Sequence, residues 1–136
     1  MKAATILLLL LTLSGFAQDS TADKSVPLDE EFTIKNGEQV TIEGQKLTLK
    51  FSSLFHDSRC PTDVVCAWAG NGAIVVEVNR KKKKAFQAML NTLLEPKGVE
   101  YKGYAIRLVA LNPYPKTPGQ IDPSLYEAVL IVSKRQ

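Results

Sequence analysis

Residues 32–51 run FTIKNGEQVTIEGQKLTLKF, and their apolar side chains return at every second position. Phe32 and Ile34 alternate with Thr33 and Lys35, Val40 and Ile42 flank Thr41, and Leu47, Leu49 and Phe51 alternate with Thr48 and Lys50. Successive side chains of an extended chain point to opposite faces, so a period of two describes strands with one face in a core and the other in water. Between the first two strands stands Asn36-Gly37, a pair suited to the two left-handed positions of a type I′ turn, which predicts a hairpin there.

Further along, Ala73–Val78, Ala105–Leu111 and Tyr126–Val132 are runs of similar strand character. Turn signals separate them: Asn71-Gly72, Lys97-Gly98, and a proline-rich stretch from Asn112-Pro113-Tyr114-Pro115 through Pro118-Gly119 to Asp122-Pro123. Six to eight short strands with this punctuation predict an all-β fold, an antiparallel β-sandwich that is immunoglobulin-like or similar, with a small barrel as the alternative. One segment is ambiguous. In residues 85–94, Phe86, Met89, Leu90 and Leu93 fall at helical spacing, which favours a short helix. Read as a strand, the segment places Phe86, Ala88 and Leu90 on one face and returns from Val78 as a hairpin over a basic tip. The strand is the preferred reading.

The 136-residue chain is long enough for a single core. Its expected layout is a signal peptide over residues 1–17, a flexible tail over 18–28 and one sandwich domain over 29–136. Lys2 supplies the positive start of the leader, Ile6 to Leu13 its apolar stretch broken only by Thr12, and Gly15-Phe16-Ala17 a cleavage signal before Gln18. That apolar stretch is far short of the ~20 residues a membrane-spanning helix needs. The leader therefore predicts export to a periplasmic or extracellular compartment.

Export decides how the two cysteines are read, because an oxidising compartment converts closely spaced thiols to a disulfide. Cys60 and Cys66 are expected to be bonded. The alternative is a metal site made of His56, Cys60 and Cys66, but the chain has one histidine and the spacing matches no zinc motif. Neither a metal nor a cofactor is expected.

Asp57-Ser58-Arg59-Cys60-Pro61, with Cys66-Ala67-Trp68-Ala69-Gly70 after it, is the densest local signal. Asp57 is suited to accept from backbone N–H groups, and Arg59 to pair with Asp57 or Asp63. On one reading these residues only structure the loop, with Trp68 covering the disulfide. On the other, Asp57, Arg59 and Trp68, joined by Tyr114 from the proline-rich loop, form a recognition surface, since an aromatic and an arginine on a rigid loop are common anchors of binding energy. The motif resembles that of a family of small exported bacterial proteins, which carry Asp-Ser-Arg-Cys-Pro, a second cysteine a few residues on, and Trp-x-Gly. The resemblance extends over Asn36–Ile42, Leu47–Phe51, Asp57–Gly70 and Tyr104–Pro115. It implies an exported all-β domain with one disulfide and no assigned activity.

Arg80, Lys81, Lys82, Lys83 and Lys84 are five consecutive cations, read either as a solvated hairpin tip that discourages edge pairing or as a contact for polyanions. No aromatic residue interrupts the run, so the stacking platform of single-stranded nucleic-acid binding is missing, and the net charge of +3 gives no argument for nucleic acid. Catalysis has little support. A nucleophile system would have to use His56, while its neighbours Asp57 and Ser58 point in alternate directions on a strand end. Tyr101, Tyr104, Tyr114 and Tyr126 with Trp68 would make a sugar-binding face only if several shared one sheet surface. The expectation is an exported, monomeric, non-catalytic binding module for a protein or carbohydrate partner. The alternative is an envelope-associated structural protein that meets anionic polymers through the hairpin Arg80–Lys84.

Overall fold

The computed structural model describes residues 23–117 and 119–136. The leader over 1–17 and the first part of the tail lie outside them. The described residues form nine strands: β1 (Lys24–Val26), β2 (Glu31–Lys35), β3 (Gln39–Ile42), β4 (Leu47–Asp57), β5 (Gly72–Arg80), β6 (Phe86–Asn91), β7 (Gly98–Tyr101), β8 (Tyr104–Asn112) and β9 (Glu127–Lys134), with a single 3-10 turn at Pro123–Leu125. Five strands make one sheet in the order β1-β3-β4-β5-β6, and four make the other in the order β2-β9-β8-β7. The expected all-β sandwich is therefore present. Its wiring departs from the immunoglobulin pattern: one sheet is a four-strand meander, β3-β4-β5-β6, with β1 added in parallel to β3, and the other a three-strand meander, β7-β8-β9, with β2 added beside β9.

The period of two accounts for the core. Phe32 and Ile34 from β2, Val40 and Ile42 from β3, and Leu47, Leu49 and Phe51 from β4 all turn inward. Val40, Ile42, Leu47, Leu49 and Phe51 of the five-stranded sheet meet Phe32, Ile34, Ile106, Leu108, Leu130 and Val132 of the four-stranded sheet in one buried cluster. No helix of the described residues is long and apolar enough to cross a membrane.

Two expectations are corrected. The tail expected over 18–28 ends early, because Lys24–Val26 pairs in parallel with β3 and buries Val26 in the core. The expected hairpin at Asn36-Gly37 does not form: β2 pairs with β9 in one sheet and β3 with β4 in the other, so this turn carries the chain across the sandwich. Glu38 N–H donates to Lys35 O at 2.9 Å, and only Gly37 has positive φ, which is the pattern of a type II turn. A two-residue turn of the I′ kind lies instead at Lys102-Gly103, where both φ values are positive (44° and 86°) and Tyr101 pairs with Tyr104. Over 85–94 the preferred strand is the one adopted, and the helical alternative is not. Phe86–Asn91 is an edge strand antiparallel to β5, with Leu90 buried, Ala88 packed on the core and Met89 turned outward.

Candidate functional site

Strand β4 ends where the sandwich opens toward the 58–70 connection, and two bulges determine how it arrives. Strict alternation after Phe51 would turn Ser53 and Phe55 inward. Register shifts between Phe51 and Ser53 and between Leu54 and His56 move the pattern by one residue each time. Leu54 takes the inward place, Phe55 is left exposed, and Asp57 is turned back toward the sheet interface.

Asp57 meets Arg59 there. Arg59 donates from Nε to Asp57 Oδ1 at 2.8 Å and from Nη2 to Oδ2 at 2.7 Å, with side-chain exposures of 3% for the arginine and 7% for the aspartate. The remaining guanidinium donors cross to the other sheet, where Nη1 reaches Leu111 O and Nη2 reaches Pro113 O at 2.9 Å. Tyr126 Oη donates to Asp57 Oδ2 at 2.8 Å. One fork thus ties the end of β4 to the ends of β8 and β9, and every charge in it is hydrogen-bonded, as burial requires. Burial alone would raise the Asp57 carboxyl, but donation from Arg59 and Tyr126 outweighs it and holds the group below its ordinary value. Burial and the adjacent Asp57 carboxylate push the Tyr126 phenol up to about 12. Gly72 leaves the room the guanidinium needs, since a Cβ there would stand 3.2 Å from Arg59 Nε.

The lobe is fixed at several further points. Cys60 and Cys66 form a disulfide with Cα atoms 5.9 Å apart, which consumes the thiols that a metal site with His56 would use. Cys60 N–H donates to Ala69 O, and Ser58 N–H to Asn71 O, each at 2.9 Å. Gly70 has φ of 70°, and a Cβ there would lie 1.8 Å from Ser58 O, so the two arms of the lobe close only over a glycine. Buried Asn71 clamps the base: its Nδ2 donates to Asn91 Oδ1 at 2.8 Å, and its Oδ1 accepts from the N–H groups of Leu93 and Leu94. At the outer end, Thr62 N–H donates to Pro115 O at 3.0 Å, and the Asp63 carboxylate accepts from Thr117 N–H and Oγ1. Those two donations hold Asp63 below the usual carboxylate range.

What this frame presents to solvent is apolar. Trp68 is 83% exposed and Val65 fully so, with Val64 beside them in sequence. Trp68 therefore does not cover the disulfide. The bridge closes a short connection outside the core, with Cys66 itself exposed, so there is no inter-sheet position for an indole to fill. A groove of about 280 Å³ runs from Ala69 and Gly70 past Leu93 to Val109 and Tyr114, with Arg59 reaching its wall. Tyr114 is half exposed, its ring held 4.6 Å under the Arg59 guanidinium carbon. Of the four candidate residues, Asp57 and Arg59 are thus buried in the frame, while Trp68 and Tyr114 face outward.

The chain matches no protein-family model, no curated protein and no solved structure.

The other candidates are dispersed. Tyr101, Tyr104 and Tyr126 belong to the core and share no open face with Trp68. His56 is exposed and packs edge-on against Phe55, whereas Asp57 is engaged by Arg59 and Tyr126, and Ser58 Oγ donates to Asn71 O. These three residues make no relay. The run Arg80–Lys84 lies at the β5–β6 hairpin, with Arg80 over the Tyr104 ring and Lys81, Lys82, Lys83 and Lys84 exposed. Asn71 and Thr117 carry much of the frame and are not candidates on the sequence, while Tyr126, read there as part of a possible sugar-binding face, instead donates to Asp57. Asn71-Gly72 reads as an ordinary turn signal, and nothing in its composition reports that the amide is buried.

Proposed function

We propose that the chain is an exported, non-catalytic binding module that engages a protein partner through the apolar crown of the 58–70 lobe and the adjoining Tyr114 groove. One observation carries this reading: Trp68 is held 83% exposed on a loop that a disulfide, a buried ion pair and an asparagine clamp keep ordered. An exposed large aromatic gains little by itself in water, and binding energy concentrates on such anchors when a partner desolvates them. The ordering cost is already met by the frame, so less is lost on association. Val64 and Val65 of the same lobe, and Leu93 in the groove, are exposed as well. Aliphatic side chains offer nothing to sugar hydroxyls, which favours a protein over a carbohydrate. Export rests on the leader over residues 1–17 and agrees with the Cys60–Cys66 bond.

The experiment is capture from the exported fraction of the source cells by immobilised wild-type protein and by Trp68→Ala. The reading expects proteins retained by the wild type and lost by Trp68→Ala at unchanged thermal midpoint. Identical retained sets would contradict it, and retention competed away by free sugars would transfer the surface to carbohydrate.

A further inference from the structure

The five-stranded sheet has an outward face that the lobe does not use. Its side chains stand in cross-strand rows, Gln39 beside Lys50 beside Glu77, and Thr41 beside Thr48 beside Asn79. Beyond the second row, Lys81 N–H donates to Lys46 O at 2.9 Å, which brings the β5–β6 hairpin against the start of β4. That hairpin turns through Lys81 and Lys82, both in the left-handed region with φ of 55° and 54°. Lysine carries a steric cost there that glycine or asparagine would avoid.

The result is a groove of about 760 Å³, to which Lys46, Lys50, Lys81 and Lys82 all contribute. Lys46 and Lys50 are four residues apart on one face of an extended chain, about 13 Å. Between them stand the hydroxyls of Thr48 and Thr41. Asp23 and Glu77 also line the groove, and Glu77 already accepts from Ser52 and Gln87. The ion pairs of the described residues engage none of the four lysines, so the groove carries a positive surplus.

We infer that this groove binds a segment of an acid-bearing polysaccharide. Separated cations with hydroxyl and carboxamide side chains between them match a strand that alternates acid groups with hydroxyls. No lining residue is aromatic, which leaves a nucleic acid without the stacking surface that its single strands use. The inference is independent of the Trp68 surface, and it relocates polyanion contact from the hairpin tip alone to the sheet face beneath it.

The test is calorimetric titration of the purified protein with heparin-derived oligosaccharide, polygalacturonate fragments, neutral dextran, polyphosphate and oligo-dT. Both acidic glycans should bind, more weakly as salt rises, and dextran should not. Lys46→Gln/Lys50→Gln should weaken glycan binding about tenfold, and Lys83→Gln/Lys84→Gln, which removes the same charge from outside the groove, by less than about threefold. Unchanged thermal midpoints establish that both variants are folded. Equal losses from the two pairs, tighter binding of polyphosphate or oligo-dT than of either glycan, or no glycan binding by the wild type would each overturn the inference.

Discussion

Arg59 grips the carboxylate of Asp57, two residues before it, with Nε and Nη2 at 2.8 and 2.7 Å, and spends its other donors on carbonyls at the end of β8. The pair is a joint between the sheets, and the lobe that follows inherits its orientation from it. Because the guanidinium is buried, removing either partner strands a charge. Arg59→Ala should lower unfolding free energy by ~3–5 kcal/mol, and replacing both residues by apolar ones of similar volume should cost much less. Urea unfolding of the single and double variants measures this. A loss below ~1 kcal/mol in Arg59→Ala would place the joint elsewhere.

The same joint predicts a pH profile. The Asp57 carboxyl is depressed in the folded protein below its ordinary 3.8, so it contributes stability that is present above that value and is lost as pH falls below it. Tyr126 is displaced the other way, to about 12 from 10.0, so its contribution is present below pH 10 and is lost as pH rises toward 12. Asp57→Asn should flatten the acid limb of a stability profile, and Tyr126→Phe the alkaline limb while costing about 1 kcal/mol near neutrality. Limbs unchanged in both variants would contradict the assignment.

Gly70→Ala should open the lobe at its base, since the added carbon would stand 1.8 Å from Ser58 O in a backbone of positive φ. The expected cost is about 2 kcal/mol or more, with faster amide exchange at Cys60 and Ser58. Wild-type exchange at these two amides would show that the arms are held by other contacts.

Reducing the disulfide should act on the lobe and spare the sheets. The bridge spans six positions within one connection, so the chain-entropy stabilisation is about 2 kcal/mol. Circular dichroism should retain its β signature while the thermal midpoint falls. Loss of that signature on reduction would give the bond a role in the core that the fold does not.

The strand faces were legible because a pleated chain records burial in its period, and Leu47-Thr48-Leu49-Lys50-Phe51 records it plainly. Partnership is not recorded this way. Asn36-Gly37 suits a hairpin turn, yet β2 finds its partner in β9, at the far end of the chain. The periodicity over Phe86–Leu93 fits two elements, and pairing with β5 decides between them. At the lobe, the cysteine pair and the arginine–aspartate pair could be read from their spacing and chemistry. The bulges that turn Leu54 inward and leave Phe55 exposed could not, because they depend on how β4 pairs with β5, nor could the carbonyls of Leu111 and Pro113 that bury Arg59, which lie more than fifty residues away in sequence.

A rigid frame presents Trp68 to solvent, and the fluorescence of that residue, the only tryptophan in the chain, reports on it without a partner in hand. The folded protein should show the red-shifted emission of a hydrated indole and quenching by acrylamide close to that of the unfolded chain. Its anisotropy should decay at the tumbling rate of the whole molecule and fall faster once the disulfide is reduced. Blue-shifted emission protected from acrylamide would mean that the indole is packed on the protein, and the binding surface proposed here would not exist.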